Sequence, residues 1–488
     1  MKLENVLRDL NCEIVRRGGS DEITGVVIDS RRAVEGCLYV CIRGLRVDGH
    51  KFIEEAFLAG AAAVLVDREQ SAYPEGMTVI KTDHCRKALC VAASNFYGRP
   101  ADSLRISGVT GTNGKTSTTY FLETILSSAG FATGLIGTLG TRVADKIVDV
   151  PVETVTTPDT LELMQILARM KELGASDVVM EVSSHALSLF KVDGINFDVG
   201  IFTNLSRDHM DFHGTMENYR DAKAKLFTLS KNCVLNADDP AAEFMKRKKN
   251  KNYITYGLYN DCDLKAVKIE NLPDGSSFEV EIDGEAEYFF LPAKGRFNIY
   301  NCLAAISAAL ALNVPVDVIR KGVSEIRGIP GRIESVPNKI NAHVIVDYAH
   351  SPDGLVNIIN AVREFTKGRL ITLFGCGGEK DKGKRSIMGR VAGELSDFCI
   401  LTTDNPRSES PEEIIKQIVA GITDSNCPFA VHTDRKEAII AGVEMLKAED
   451  ALIIAGKGHE HYQHVNGEYI PFDDVEIASG ALQKRAAS

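Results

Sequence analysis

Positive charge is what this sequence most plainly lacks. Its 56 Lys and Arg face 67 Asp and Glu, a formal net charge of −11. General binders of nucleic acid or of acidic membrane surfaces carry a basic surplus, so neither kind of partner is expected. The one dense basic run, Lys246-Arg247-Lys248-Lys249 with Lys251 beyond it, reads as a solvated loop or helix end. Long apolar runs are missing too, since none approaches the ~18 residues of a membrane span. The opening MKLENVLRDLNCEIV has no apolar signal-peptide core, and a soluble cytoplasmic protein is the expectation. The eleven Cys are scattered, and their nearest pairs, Cys37/Cys41 and Cys85/Cys90, match no paired C-x-x-C zinc pattern. Reduced, mostly buried thiols follow. Trp is absent, yet 44% hydrophobic and 25% charged residues make the balance of a soluble globular protein.

At 488 residues the chain exceeds one typical core, and roughly two to four domains are expected. Up to about residue 97, short apolar runs (GCLYVCI at 36–42, AAAVLV at 61–66) alternate with helical patterns, the last from Cys85 to Tyr97. GRPADS (98–103) reads as a linker. A second unit opens on the strand-like LRISGV (104–109), and the apolar runs 177–184, 198–204 and 232–239 each end in polar residues, as buried parallel strands do where they line a site. Cys262–Pro292 alternates as antiparallel strands do, and a helix is expected from about Asn298 to Leu312. From Gly331-Arg332 onward, four strand candidates (HVIVDYAHSP, RLITLFGCGGEK, DFCILTTDNPR and DALIIAGKGHE) are separated by helical patterns, pointing to another doubly wound parallel sheet. Their charged and glycine-rich ends should share one rim.

The standard phosphate-loop spacing is also missing. In G-x-x-x-x-G-K-[ST] a glycine would stand where Val109 is; this chain has Gly108, Gly111 and Gly114, then Lys115 and Thr116. The context is nevertheless strand, glycine loop and helix (KTSTTYFLETILSSAG), with Gly130 as the stop. Backbone N–H groups and a helix N-terminus there make an anion site, Lys115 adds a point charge, and Thr116 offers a hydroxyl to magnesium. Glu181, ending an apolar strand, either meets a metal or caps a helix. TNLSRDHMDFHG (203–214) gathers Asp208, His209, Asp211 and His213 without zinc spacing. Lys223 and Lys225, taken alone, read as solvated helix lysines. In the third unit Arg385 and Arg407 are forks for a carboxylate, while Asp404 and Glu460 suit an ammonium group; together they fit a zwitterionic amino acid. The alternative is turn chemistry at Asn405-Pro406 with solvated charges around it.

These motifs, in this order and across essentially the whole chain, resemble the Mur ligases. The matching stretches are VIDSRRAVEGCLYVCIRGLRVDGHKFI (27–53), TGTNGKT, TTPDT (156–160), EVSSHAL (181–187), NLSRDHMDFHG (204–214), GRFNIYNCLAAI (295–306), PGRIE (330–334), VDYAHSPDGL (346–355), GCGGEKDKGKR (375–385), DNPR and GKGHE. The resemblance implies an α/β fold of three domains: a UDP-binding domain over 1–98, a P-loop ATPase-like parallel-sheet domain over 99–331, and a Rossmann-like domain over 332–488. It also implies a cytoplasmic monomer that couples ATP hydrolysis to amide formation, adding meso-2,6-diaminopimelate to UDP-N-acetylmuramoyl-L-alanyl-D-glutamate. L-lysine as the incoming amino acid, a folylpolyglutamate synthetase and a decayed binding module are the rival readings. DNPR, through Arg407, favours diaminopimelate.

By the same resemblance, Ser30 meets the UDP end, and Thr156, Thr157, Ser184 and Lys191 hold the dipeptide. Gly111, Thr112, Asn113, Gly114, Lys115, Thr116 and Ser117 cradle ATP, with Asn298, Arg332, Asp347 and His350 reaching it from elsewhere. Thr116, Glu181, His209 and a carbamylated Lys223 hold two magnesium ions, and Glu181, His209 and Lys223 together with Lys115 are the implied catalytic set. Arg385, Asp404, Asn405, Pro406, Arg407, Gly456 and Glu460 form the amino-acid pocket. The family's usual Gln and Arg after EVSSHAL are here Leu189 and Lys191; Lys191 keeps the charge without the planar fork, and Leu189 forms no side-chain hydrogen bond.

Overall fold

The computed structural model describes residues 1–487 apart from 45, 46, 153, 155, 249–251, 273 and 424. Lys249 and Lys251 of the basic run therefore lie outside the described residues.

Three α/β units follow one another, each built on its own sheet. In the first, four parallel strands run in the order Thr78–Thr82, Ala63–Val66, Leu38–Val40, Val26–Val27, with Cys12–Arg16 antiparallel at the edge. The second has eleven strands. Its parallel centre runs Thr133–Gly137, Asp177–Glu181, Arg105–Thr110, Phe197–Phe202, Ser230–Asn236. At the far edge Leu264–Leu272, Gly275–Ile282 and Glu285–Leu291 form the expected antiparallel excursion. The third sheet runs Glu334–Ser335, His343–Asp347, Ala451–Ala455, Leu370–Phe374, Phe398–Leu401, Phe429–Val431, parallel except for the first.

The central strands are apolar on both faces because helices cover both faces. Val179, Val109 and Ile201 pack with the helices Lys115–Ser128 and Arg296–Ala311, while Val178, Ile106 and Phe197 pack with Thr160–Glu172 on the other side. The chain first winds from Arg105–Thr110 toward Thr133–Gly137, then reverses to Phe197–Phe202. The carboxyl ends at that switch, Gly111, Glu181 and Thr203, are where a doubly wound sheet opens a crevice for a ligand.

Four edge strands, the inner strand Thr78–Thr82 and one hairpin escaped the sequence reading. Cys12–Arg16, Val26–Val27, Thr78–Thr82, Glu334–Ser335 and Phe429–Val431 are short, and the hairpin Tyr462–Val465/Glu468–Pro471 is largely exposed. An edge strand buries one face at most, so its apolar signal is weak. Lys223 is a correction: read as a solvated helix lysine, it is only 1% exposed.

The third unit also contains a fully buried ion pair. Arg435 donates from Nε to Asp474 Oδ1 at 2.8 Å and from Nη2 to Asp474 Oδ2 at 2.7 Å, and Nη2 also reaches the Ala455 carbonyl at 3.0 Å. It ties the helices Arg435–Met445 and Asp474–Ala487 to the end of the central strand. Asp474→Ala strands the guanidinium without its anion and is expected to cost about 3–5 kcal/mol. Hydrogen exchange at 451–455 should lose protection accordingly while 105–110 keeps its own; unchanged exchange at 451–455 would refute this tether.

Candidate active site

The glycine loop is bound to the strand end beside it. Thr203 Oγ1 donates to the Asn113 carbonyl at 2.6 Å, Asn204 Oδ1 accepts the Asn113 N–H at 2.9 Å, and Thr112 Oγ1 accepts the Ser206 N–H at 3.0 Å. A Cβ at Gly111 would stand 1.8 Å from Thr203 Oγ1, so the close approach excludes every other residue. Gly114 has φ +85° and a Cβ there would meet Asn301 Oδ1 at 2.3 Å. The helix starts at Lys115, with Thr116 and Ser117 buried in its first turn. Its free N–H groups and positive dipole end face the loop.

Lys115 Nζ donates to the Gly111 and Thr112 carbonyls, both at 3.0 Å. Lys223 Nζ, on the helix Met216–Thr228, donates to the same Gly111 carbonyl at 2.7 Å and lies 4.3 Å from the Tyr219 ring centroid. Burial, reinforced by the Lys115 charge, pushes the Lys223 amine well below the usual lysine range. Lys115 itself is lowered by burial.

Glu181 is 1% exposed, which settles its position: it is neither a cap nor a surface residue. Its Oε1 accepts from Thr116 Oγ1 at 3.0 Å and from the Thr138 N–H at 2.8 Å, and Oε2 accepts from Thr138 Oγ1 at 3.1 Å. His209 has φ +56° at the start of the turn Met210–His213, and its ring meets His185 edge-on at 4.8 Å. Burial holds His209 on its neutral side, against the pull of the Asp208 carboxylate. Glu181 and His209 each lie within the field of Lys115, and His209 within that of Lys223 as well.

The third unit reaches into this loop. Arg332 Nη2 donates to Thr116 Oγ1 at 3.2 Å, and the guanidinium lies 4.7 Å from the Tyr348 ring centroid. Asp347 is committed to its own turn, accepting the Ile333 and Ala349 N–H groups, both at 2.8 Å. His350 pairs through Nδ1 with the Tyr348 carbonyl at 2.8 Å, and burial lowers it to about 4. Asn298 Nδ2 donates to the Lys294 carbonyl at 2.9 Å and Oδ1 accepts from Asn301 at 3.4 Å.

Among the residues expected to hold the dipeptide, Thr157 Oγ1 donates to the Glu181 carbonyl and accepts the Ser183 N–H, both at 3.0 Å. Thr156 Oγ1 is 3.3 Å from Thr138 Oγ1, and Ser184 Oγ is 2.9 Å from His213 Nε2. Lys191, 7% exposed, pairs with Asp159 Oδ2 at 3.0 Å. Ser30 lies apart in the first unit, donating to Glu55 Oε1 at 3.0 Å.

The four strand ends of the third sheet do share a rim. Glu460 Oε2 accepts from Asn405 Nδ2 at 2.8 Å and from Lys457 Nζ at 3.0 Å, and Lys457 also donates to Asn405 Oδ1 at 3.0 Å. Asp404 Oδ2 is buried with no hydrogen-bond partner. Burial works to raise the Asp404 carboxyl, but the Lys457 and Arg435 charges outweigh it and hold it low. A Cβ at Gly456, φ +116°, would come within 2.6 Å of that free oxygen. Arg407 turns back at φ +55°, donates from Nη1 to the Gly378 carbonyl at 2.8 Å, and has no carboxylate partner among the described residues. The Pro406 carbonyl accepts the Glu409 N–H at 3.0 Å. Arg385 differs from Arg407: it is 0% exposed and already held by Glu409 in a fork, Nη1 to Oε2 at 3.0 Å and Nη2 to Oε1 at 3.1 Å. Its contact with a ligand carboxylate would have to compete with that pair.

Several participants were not singled out from sequence. Lys457, 0% exposed within GKGHE, is the cation at the centre of the rim. The hairpin forms a wall, with the Arg407 N–H donating to the His464 carbonyl at 3.0 Å. Asn301 and Glu409 were unremarkable as letters; only their contacts give them roles.

Comparison with known proteins agrees with this layout. The family models described as "Mur ligase family, catalytic domain", "Mur ligase middle domain" and "Mur ligase, glutamate ligase domain" match residues 22–97, 109–309 and 331–458. A UDP-N-acetylmuramoyl-L-alanyl-D-glutamate–2,6-diaminopimelate ligase of Caldanaerobacter subterraneus subsp. tengcongensis is 43% identical over 483 residues, 99% of each chain. The enzyme of the same name from Clostridium perfringens is 43% identical over 490 residues, covering 99% of this chain and all of its own. A solved structure of a protein with that name superposes with TM-score 0.70 and 30% identity over 100% of both chains. With successive family matches falling on its three sheets, and such likeness from end to end, the chain belongs to the Mur ligase family.

Proposed function

We propose that this protein is an ATP-dependent amide ligase that adds meso-2,6-diaminopimelate to UDP-N-acetylmuramoyl-L-alanyl-D-glutamate in peptidoglycan biosynthesis. The observation that carries this reading is a phosphate loop joined through Arg332–Thr116 to a rim of both charge signs, in a chain 43% identical over its length to relatives named for that reaction. Those full-length relatives leave the folylpolyglutamate synthetase and decayed-site readings without support.

The D-glutamate side-chain carboxylate of the substrate attacks the γ-phosphorus of ATP, releasing ADP and leaving an acyl phosphate. The incoming amine then attacks the acyl carbon, and phosphate departs from the tetrahedral intermediate. No protein nucleophile is required. The loop N–H groups and Lys115 offset charge on the transferring phosphoryl group, and Arg332 adds a cation from the opposite unit. Bringing reactants from separate units into one crevice supplies much of the rate by positioning, with domain closure on ATP part of the proposal. In the rim, the free Asp404 oxygen and Glu460 suit the ammonium groups of diaminopimelate, and Arg407 suits its far carboxylate; Asn405, Pro406 and Gly456 shape that pocket, and Arg385 joins it if Glu409 gives way.

The residues at Thr116, Glu181 and His209 fit a hard divalent cation: their donors are a hydroxyl, a carboxylate and an imidazole kept neutral by burial. Bound magnesium would neutralise phosphate charge during transfer. Lys223, as a buried amine disfavouring its ammonium form, is in the state that adds carbon dioxide with loss of a proton; the carbamate would supply the further carboxylate for a second magnesium. Asn298, Asp347 and His350 complete the ATP side, and Ser30, Thr156, Thr157, Ser184 and Lys191 the UDP-dipeptide side. That all these groups come from one chain supports the reading of a monomer, and a UDP-linked substrate with ATP supports the reading of a cytoplasmic enzyme.

Phosphate release from ATP should require the UDP-dipeptide and meso-diaminopimelate together. Release with L-lysine alone would overturn the choice of amino acid, and release with neither would overturn the ligase. Arg407→Ala should raise the KM for diaminopimelate more than tenfold, since a charge-assisted pair contributes about 1.5–3 kcal/mol; an unchanged KM would remove Arg407 from the pocket. Stripping carbon dioxide from the buffer should lower kcat and bicarbonate should restore it, with a 13C-carbamate resonance that Lys223→Arg abolishes. Full activity in carbonate-free buffer, with no such resonance, would leave Lys223 as a plain amine.

A further inference from the structure

Outside the phosphate-loop site, the first unit brings a histidine, a carboxylate and a thiol together. His50 lies in the 3-10 turn Gly49–Phe52, Asp67 follows the strand Ala63–Val66, and Cys85 opens the helix Cys85–Phe96. One donor atom from each lies within 4.8 Å of the other two. The His50 side chain is 1% exposed and Cys85 is 1% exposed, while the Asp67 side chain is 28% exposed and leaves one approach to solvent.

The protonation of His50 makes the cluster informative. Asp48 Oδ1 accepts both the His50 N–H at 3.1 Å and the His50 Nδ1 hydrogen at 2.8 Å. A carboxylate only accepts, so Nδ1 carries a proton, and in that tautomer Nε2 presents a lone pair. That Nε2 is buried with no hydrogen-bond partner, and stands 3.3 Å from Asp67 Oδ1. Two acceptors at that separation repel unless something positive lies between them. Asp67 does not turn away, because its Oδ2 accepts the Cys85 N–H at 3.3 Å at the helix start. The competing cation is a proton on Nε2, but the approach to Asp67 lacks hydrogen-bond alignment.

We propose that His50, Asp67 and Cys85 bind a divalent transition-metal ion of zinc type. Nitrogen, oxygen and sulfur donors are the set zinc accepts, at about 2.0–2.3 Å each, and ligand atoms spaced as these are can close on one ion with small rotamer changes. Three protein ligands leave the fourth tetrahedral position to water from the Asp67 side. Asp48 is the outer carboxylate that fixes the tautomer and orientation of a metal-binding imidazole, and it is itself held by Arg68. The ion would join a turn, a strand end and a helix start of the first unit. Magnesium, which avoids thiolate, would not compete for it.

The test is titration of the reduced full-length protein with Co2+, followed by absorption, then displacement with Zn2+. The expected result is one equivalent bound with a thiolate-to-cobalt charge-transfer band, bleached by one equivalent of Zn2+. The candidate cation residues of the phosphate site include no thiol and give no such band. Cys85→Ser should abolish the band while circular dichroism stays unchanged. Should that variant misfold, Asp48→Asn serves instead, keeping the thiol but weakening Co2+ binding 10–100-fold. Absence of the band in folded wild-type protein, a band undiminished by Cys85→Ser, or unaltered affinity in Asp48→Asn would overturn the assignment.

Discussion

Two lysine side chains converge on one carbonyl oxygen, that of Gly111, at 3.0 Å from Lys115 and 2.7 Å from Lys223. The rest of the site follows from this crowding. Two amines so close, and both buried, could not both be charged without repulsion and lost hydration, a cost that grows in a medium of low dielectric and holds both below the usual lysine range. Anions relieve it. Nucleotide phosphates do so for Lys115, and conversion of the second amine to an anion would do so for Lys223. The loop is therefore poised for negative charge and is held in place by Thr203 and Asn204, which bind the Asn113 backbone, and by the Ser206 N–H, which binds the Thr112 hydroxyl.

That arrangement needs the sheet topology around it. The reversal of winding beside Arg105–Thr110 leaves Phe197–Phe202 as its neighbour, so the pinning segment 203–206 comes directly off the next strand. Arg332 then closes the distance between units with one hydrogen bond to Thr116. Because Thr116 also donates to Glu181, any ligand that draws on the Thr116 hydroxyl is sensed by both units. The loop of the second unit and the start of the third thus share one hydroxyl.

Legibility in the sequence followed burial and repetition. Central strands, apolar on both faces, could be read from runs such as DVVMEV; edge strands with one half-buried face could not. The phosphate loop was recognisable despite Val109 because strand, loop and helix surround it, and Val109 proves to be a fully buried core residue behind the loop. Glu181 could be placed because an acid in an apolar run must be compensated. Lys223 could not, since a lysine in a polar helix carries no sign of which face turns inward. Long-range pairs were invisible for the same reason: Arg385 with Glu409 and Lys457 with Asn405 are contacts of the fold, absent from any local pattern.

The departure at Leu189 and Lys191 shows how the fold absorbs a substitution that looks costly in sequence. A planar fork earns its advantage where two parallel hydrogen bonds meet a carboxylate. Lys191 instead places a single ammonium against Asp159 Oδ2 at 3.0 Å, with Thr154 Oγ1 at 3.5 Å as a further acceptor. Leu189 ends the short helix Ser184–Ser188, where its N–H donates to the His185 carbonyl at 2.9 Å and no side-chain hydrogen bond is needed. The positive charge is therefore kept at this position while its direction is relaxed. On the opposite rim the two forks differ: Arg407 has no carboxylate partner among the described residues, while Arg385 is held by Glu409.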